Sequence, residues 1–293
     1  MTVNETPVEG PLVQYEVLDR VAFVRMNRPS MSNAQNSAMT YALDDAFQEA
    51  VNDDNVAVIV LAGNGKHFSA GHDIGPTRDV HVPFERRSIL YFDHSTREAA
   101  EFRYSRESEA YLGMCRRWAE IPKPTIAMVQ GACIAGGLML AWSCDFIVAS
   151  DDAFFADPTV RMGINGVEYF DHPWALNPRA AKELLFTGDR FPAQRAYELG
   201  MVNHIVPRES LEAFTREMGA RISTMPRFAL TLAKKAVNLS YDAMGRRAGM
   251  DAAFGLHHLA HSHQAEVTGD LIGGMNAKSM KQKHEAADAS NGE

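Results

Sequence analysis

Two stretches of this chain repeat one order: a short apolar run, a glycine-bearing turn, then residues spaced for a helix. That repetition restricts the fold more than any other feature. The run at 56–61 is continuous and mostly β-branched, which predicts a strand buried on both faces. It leads into Phe68-Ser69-Ala70-Gly71-His72-Asp73-Ile74. The run at 125–129 leads into Gly131-Ala132-Cys133-Ile134-Ala135-Gly136-Gly137, with a helix expected over 136–144 and a strand at 146–149. A strand pair at 13–17 and 21–26 precedes both. Between the pair and the first run, Met39, Leu43, Phe47 and Val51 recur every four residues, which predicts a helix over 37–51. Strands alternating with helices indicate an α/β core.

Segment 76–121 is rich in charge and aromatic side chains, and a structureless loop of that length is unexpected inside a domain. Much of 95–118 is therefore expected to be helical, with Phe102, Tyr104, Tyr111, Leu112 and Trp118 offering apolar contacts. Gly200 stops a short helix at 193–199, and two amphipathic helices follow at 211–222 and 228–239. From 240 onward the pattern is helical and strand-free. Residues 12–225 thus read as the core with a long insert at 76–121, and 226–283 as a helical C-terminal layer. Positions 1–11 and 284–293 have the composition of disordered ends.

Asp and Glu number 37 against 29 Lys and Arg, a net charge of −8 that disfavours a general nucleic-acid grip. There is no run of about 18 apolar residues for a membrane span. Positions 1–10 lack a basic stretch ahead of an apolar one, so a cytoplasmic location is expected. Cys115, Cys133 and Cys144 lack metal-ligand spacing and fit buried thiols in a reducing compartment. His257 and His261 are four apart on a predicted helix, so both could reach one ion. No glutamate accompanies them in the metalloprotease pattern. They are read as a surface or subunit-contact stripe, and no metal site is assigned.

Taken singly, each glycine turn needs only tight backbone geometry. Neither has the lysine and spacing of a phosphate loop. Taken together they suggest more. A peptide N–H at a helix start is unpaired and favours negative charge, so two from separate turns could hold one developing oxyanion.

These segments resemble the crotonase (enoyl-CoA hydratase/isomerase) superfamily. The pieces stand in family order: Asn27-Arg28-Pro29, the turn at Phe68, Pro124-Thr125-Ile126-Ala127 leading to Gly131, the Gly136-Gly137 helix and Cys144-Asp145. Phe155-Ala156-Asp157-Pro158, Thr187-Gly188-Asp189-Arg190, Ala193 to Ala196 and Gly200-Met201-Val202 complete the series. The resemblance implies an α/β spiral of ββα units with a C-terminal helical layer that serves oligomerisation, assembled as a homotrimer or dimer of trimers. It implies an acyl-CoA site in which the backbone N–H groups of His72 and Gly136 hold the thioester oxygen. The CoA portion of the substrate is expected near Ser30, Met31, Lys66, Ala70, Asp73 and Ile74, with Lys66 and Arg28 as cations for phosphate. No separate cofactor is implied.

The pattern breaks at its most informative positions. Family hydratases place glutamates where this chain has Met139 and Thr159, and neither replacement can do carboxylate work. Glu168 and Asp157 are the candidate substitutes. Plainer roles exist for both: a surface carboxylate for Glu168, and a turn acceptor ahead of Pro158 for Asp157. The His72 imidazole is read as structural. The expected function is an enoyl-CoA hydratase/isomerase-like enzyme, lyase or isomerase. The alternatives are a non-catalytic acyl-CoA-binding paralogue or a thioester hydrolase of the same fold.

Overall fold

Val21–Met26 (β2) and Val58–Gly63 (β3) pair in parallel and divide their side chains between two cores. Ala22, Val24, Met26, Ile59 and Leu61 enter one core, while Val21, Phe23, Val58, Val60 and Ala62 enter the other. This is the period-two alternation of a strand covered on both faces, and it explains why the runs are continuously apolar. Val13–Leu18 (β1) lies antiparallel on the far side of β2. Thr125–Val129 (β4), Phe146–Ser150 (β6) and His204–Val206 (β9) extend the sheet in parallel in the order β1-β2-β3-β4-β6-β9. The computed structural model describes residues 10–74, 84–85, 87 and 97–274. The expected disorder at 1–9 and 284–293 and the aromatic residues Tyr91 and Phe92 lie outside them.

A second sheet, which the sequence reading did not anticipate, runs beside the first. Ala132–Ile134 (β5) pairs in parallel with Phe154–Ala156 (β7), and Phe191–Pro192 (β8) closes it antiparallel. Each turn of the chain gives one strand to the large sheet and then a short segment to the small one, β4 then β5, β6 then β7. The turn after β3 follows suit, because Ser69 bridges to Cys133 in parallel. This is the ββα spiral.

Helices fill the returns. Ser37–Asn52 (α1) starts at Asn36, whose side chain accepts from the Met39 N–H at 2.9 Å, and buries Met39, Leu43 and Phe47. Ala99–Glu107 (α2) and Met114–Ala119 (α3) are continuous through a π-helical turn at Ser108–Gly113. A Cβ at Gly113 would stand 2.5 Å from the Ser108 carbonyl oxygen, so the wide turn admits only glycine there. Phe102, Tyr111, Leu112 and Trp118 are buried as expected, and Tyr104 is exposed. Gly136–Trp142 (α4) is wholly buried. His172–Ala175 (α5), Pro178–Thr187 (α6) and Ala193–Glu198 (α7) follow, and Leu211–Ser223 (α8) covers the second core.

Arg227–Ala243 (α9) has no buried residue and exposes Phe228, Leu232, Val237 and Leu239. Arg246–Thr268 (α10) instead packs inward through Met250, Phe254, His257 and His261. No described helix is long and apolar enough to cross a membrane.

Candidate functional site

The two glycine turns meet at the join between the sheets. Ser69 donates its N–H to Ala132 and accepts from Ile134, at 3.1 and 3.0 Å. Three residues on, Gln35 donates to the Gly71 carbonyl and accepts from Asp73, both at 2.8 Å. In that parallel bridge the groups of His72 itself face away from Gln35. Gly71, at φ +93°, takes a conformation disfavoured for side-chain-bearing residues. A Cβ there would lie 2.7 Å from the Ile134 oxygen and 3.0 Å from the Gly136 nitrogen. The first turn is therefore seated directly against the start of α4. Ala135, immediately before that start, holds φ +48° and ψ −111°, a strained conformation costing about 1–3 kcal/mol for a residue with a side chain.

The His72 imidazole faces inward. Its Nε2, Cδ2 and Cε1 would all lie 2.9–3.1 Å from a Cβ on Gly136, so the ring covers that glycine. Nε2 is 3.3 Å from Glu168 Oε2, and the ring packs against Tyr111 with centroids 4.0 Å apart. Tyr111 reaches His72 from the π-helical turn, with its hydroxyl accepting from buried Arg106 at 3.0 Å. Burial pushes the Tyr111 phenol up to about 12. Glu168 is no surface carboxylate, being 5% exposed. Burial alone would raise its carboxyl, but His72 and His257 outweigh burial and hold it below the usual carboxylate range.

Met139 and Thr159, where the resemblance leads one to expect the hydratase glutamates, are both buried. Asp157 is fully buried, and both its oxygens are engaged. One accepts from the Thr159 N–H and hydroxyl at 3.1 and 2.6 Å; the other meets His172 Nε2 at 2.7 Å. Burial raises this carboxyl and the bond to His172 lowers it, with a net shift downward. A carboxyl lowered on folding stabilises above the unfolded value near about 4 and loses that contribution as pH falls through the folded value. Asp157→Asn is expected to cost about 3 kcal/mol, read as a lower denaturant midpoint at pH 7. A loss below about 0.5 kcal/mol would match an ordinary surface change and refute this anchoring role.

The residues expected near CoA lie on adjoining segments. Ser30 and Met31 are exposed on a 3-10 turn, Pro29–Met31, and Ala70 donates to the Ser32 carbonyl at 2.9 Å. Lys66 is exposed, and Ile74 ends the described stretch. Arg28 departs from the expectation of a cation open to phosphate. It is 4% exposed and bonds the Asp73 carboxylate at 2.6 Å and the Ala34 carbonyl at 3.1 Å. The pair fixes the turn from within.

A family model described as "Enoyl-CoA hydratase/isomerase" matches residues 16–85 and 93–280. The chain belongs to the enoyl-CoA hydratase/isomerase family. The solved structure of a probable enoyl-CoA hydratase from Mycobacterium smegmatis superposes at TM-score 0.80 with 44% identity, over 89% of this chain and 98% of that one. Crotonyl-CoA hydratase from Syntrophomonas wolfei is 32% identical, over 86% of this chain and 92% of its own. 4-Chlorobenzoyl coenzyme A dehalogenase-2 from Arthrobacter sp. is 28% identical, over 77% of each chain.

Within this family frame the histidine-rich stretch of α10 is not the surface stripe that its sequence suggests. His257, His258 and His261 are 4%, 8% and 7% exposed. They converge with Glu107, at the end of α2, on the side of Glu168 away from His72. Glu107 Oε2 lies 3.5 Å from His257 Nε2 and 3.3 Å from His258 Nε2, and His257 Nε2 lies 3.9 Å from Glu168 Oε1. These contacts are charge proximity rather than well-formed hydrogen bonds. Burial alone would lower His257, but the contact with Glu107 and the Glu168 charge push it up to about 9. Burial lowers His258 to about 4. The i, i+4 spacing on α10 was visible in the sequence, whereas the contribution of Glu107 from the insert was not.

Proposed function

We propose that this chain is an enzyme acting on an acyl-CoA thioester, with the thioester oxygen accepting from the backbone N–H groups of His72 and Gly136. The observation that carries the reading is the buried Glu168 carboxylate, 3.3 Å from an imidazole that itself covers Gly136. Charge gathers on the thioester oxygen as a proton leaves or reaches the adjoining carbon, and preset donors stabilise that charge with little reorganisation. Glu168, a carboxylate in the resting site, supplies the acid/base group in place of the residues at 139 and 159: it takes a proton from substrate or water and then returns it, 3.3 Å from the His72 ring. General acid/base work by a positioned group contributes about 10²–10⁴-fold. One such pair suffices to move a proton between two carbons of an enoyl thioester, or to activate water for addition. The assignment is therefore to the lyase or isomerase class.

The relatives named as crotonyl-CoA hydratase and 4-chlorobenzoyl-CoA dehalogenase act on different acyl groups carried by the same CoA. That supports CoA-ester recognition while leaving the acyl group to the pocket. Tyr111 brings the insert to His72, which supports a role for 76–121 in shaping that pocket. Ser30, Met31, Lys66, Ala70, Asp73 and Ile74 form the proposed CoA side. Assembly as a homotrimer or dimer of trimers belongs to the same reading, with the apolar face of α9 available for it.

The specific rival is a binding protein without catalysis, favoured by Met139 and Thr159. Purified protein assayed on short, long and ring-bearing enoyl-CoAs decides between them. Hydration or double-bond migration on at least one ester is expected. CoA-ester binding without turnover across the panel would establish the non-catalytic reading, and release of free thiol would establish a hydrolase.

A further inference from the structure

The cluster on α10 has the chemistry of a metal centre. His257 Nδ1 lies 2.8 Å from the Gly166 carbonyl oxygen and His261 Nδ1 lies 2.8 Å from the Leu271 carbonyl oxygen. A carbonyl can only accept, so each ring donates Nδ1–H and turns Nε2 inward. The two Nε2 atoms stand 2.9 Å apart. With Nδ1 protonated on both rings, the two Nε2 lone pairs oppose each other in a buried site unless a proton or a metal ion stands between them. Glu107 adds a carboxylate from α2. Its residue is 8% exposed, and Oε2 has no hydrogen-bond partner among the described residues. The ligand atoms of Glu107, His257 and His261 all lie within 4.8 Å of one another.

We propose that Glu107, His257 and His261 bind a divalent first-row transition ion of the zinc class, through one carboxylate oxygen and the two Nε2 atoms. Two of the three donor spacings suit it, and the third lies within 4.8 Å. Donors roughly 2.0–2.2 Å from one ion stand about 2.9 Å apart at right angles and about 3.4 Å apart at tetrahedral angles. The His257–His261 and Glu107–His257 separations, 2.9 and 3.5 Å, span that range. Imidazole and carboxylate donors select this class over calcium or magnesium, which prefer oxygen throughout. The Nδ1–H bonds to backbone carbonyls are the outer support that metal-bound histidines commonly have, fixing both tautomer and ring angle. A bound ion would also offset the two buried carboxylates, Glu107 and Glu168, at the boundary of the acyl site.

A proton shared between the two rings is the competing occupant, and metal titration separates the two. Protein stripped with a chelator and dialysed is titrated with Co²⁺, followed by its visible d–d bands, and then with Zn²⁺ as competitor. One equivalent of Co²⁺ should bind, Zn²⁺ should displace it, and Zn²⁺ should raise the thermal midpoint of the stripped protein. His261→Gln and Glu107→Gln, checked for native circular dichroism, should weaken binding by roughly 100-fold. His263→Gln, on an exposed neighbour, should leave it unchanged. Absence of both bands and thermal shift in the unmutated protein overturns the proposal, whatever the variants do. So does unchanged binding in a folded His261→Gln protein, or loss of binding in His263→Gln.

Discussion

Glu168→Gln is expected to reduce turnover by roughly 10²–10⁴-fold while leaving CoA-ester affinity within about threefold. Glutamine keeps the size of the side chain and its reach to His72 but cannot take a proton. The carboxylate lies 3.3 Å from Nε2 and is nearly inaccessible, so its effect must pass through the imidazole or directly to a substrate above Gly136. Neither route contributes to holding CoA, which explains the expected split between rate and affinity. Steady-state kinetics beside equilibrium binding of a non-reactive CoA thioester measure the two quantities. Equal activity in a folded Glu168→Gln protein would remove Glu168 from the chemistry and return attention to Asp157.

Gly71→Ala should be nearly as damaging to rate for a different reason. The added Cβ would meet the Ile134 oxygen at 2.7 Å and the Gly136 nitrogen at 3.0 Å, all backbone, at φ +93°. The first turn must then lift away from α4, and the two proposed donors no longer converge. Losing the alignment of one such donor costs about 10²–10³-fold in kcat. A stability loss of about 1–3 kcal/mol accompanies it from the backbone conformation alone. Gly200→Ala separates the two effects. Gly200 has φ +81° with nothing within 4 Å of a built Cβ, so it carries similar backbone strain without touching the site. Gly200→Ala should lose stability and keep its rate. Full kcat in Gly71→Ala would refute the oxyanion assignment.

Much of the scaffold was legible because its elements answer to local rules. The strand expected at 125–129 is observed as Thr125–Val129, and the helix expected at 37–51 is observed as Ser37–Asn52. Four-residue spacing and β-branched runs report burial directly. The small sheet was not legible. Its strands are two or three residues long, too short to show a period, and exist because the spiral lays successive turns side by side. The π-helical turn was equally hidden. Its signal is the Ser108 carbonyl against Gly113, a contact that the sequence shows only as one glycine in a helix.

The candidate site divides along the same line. The sequence by itself determined the order of strand, glycine turn and helix at 56–74 and again at 125–144, and the absence of carboxylates at 139 and 159. Both follow from residue type and spacing along the chain. Only the tertiary structure decided that Glu168 meets His72 across 96 positions, that Arg28 is spent on Asp73, and that Glu107 joins His257 and His261. Glu168 sits in an irregular segment between a 3-10 turn and α5, where no periodicity fixes a side chain's direction. Its carboxylate lies between His72 and His257 of α10, contacts between distant segments that no local pattern records.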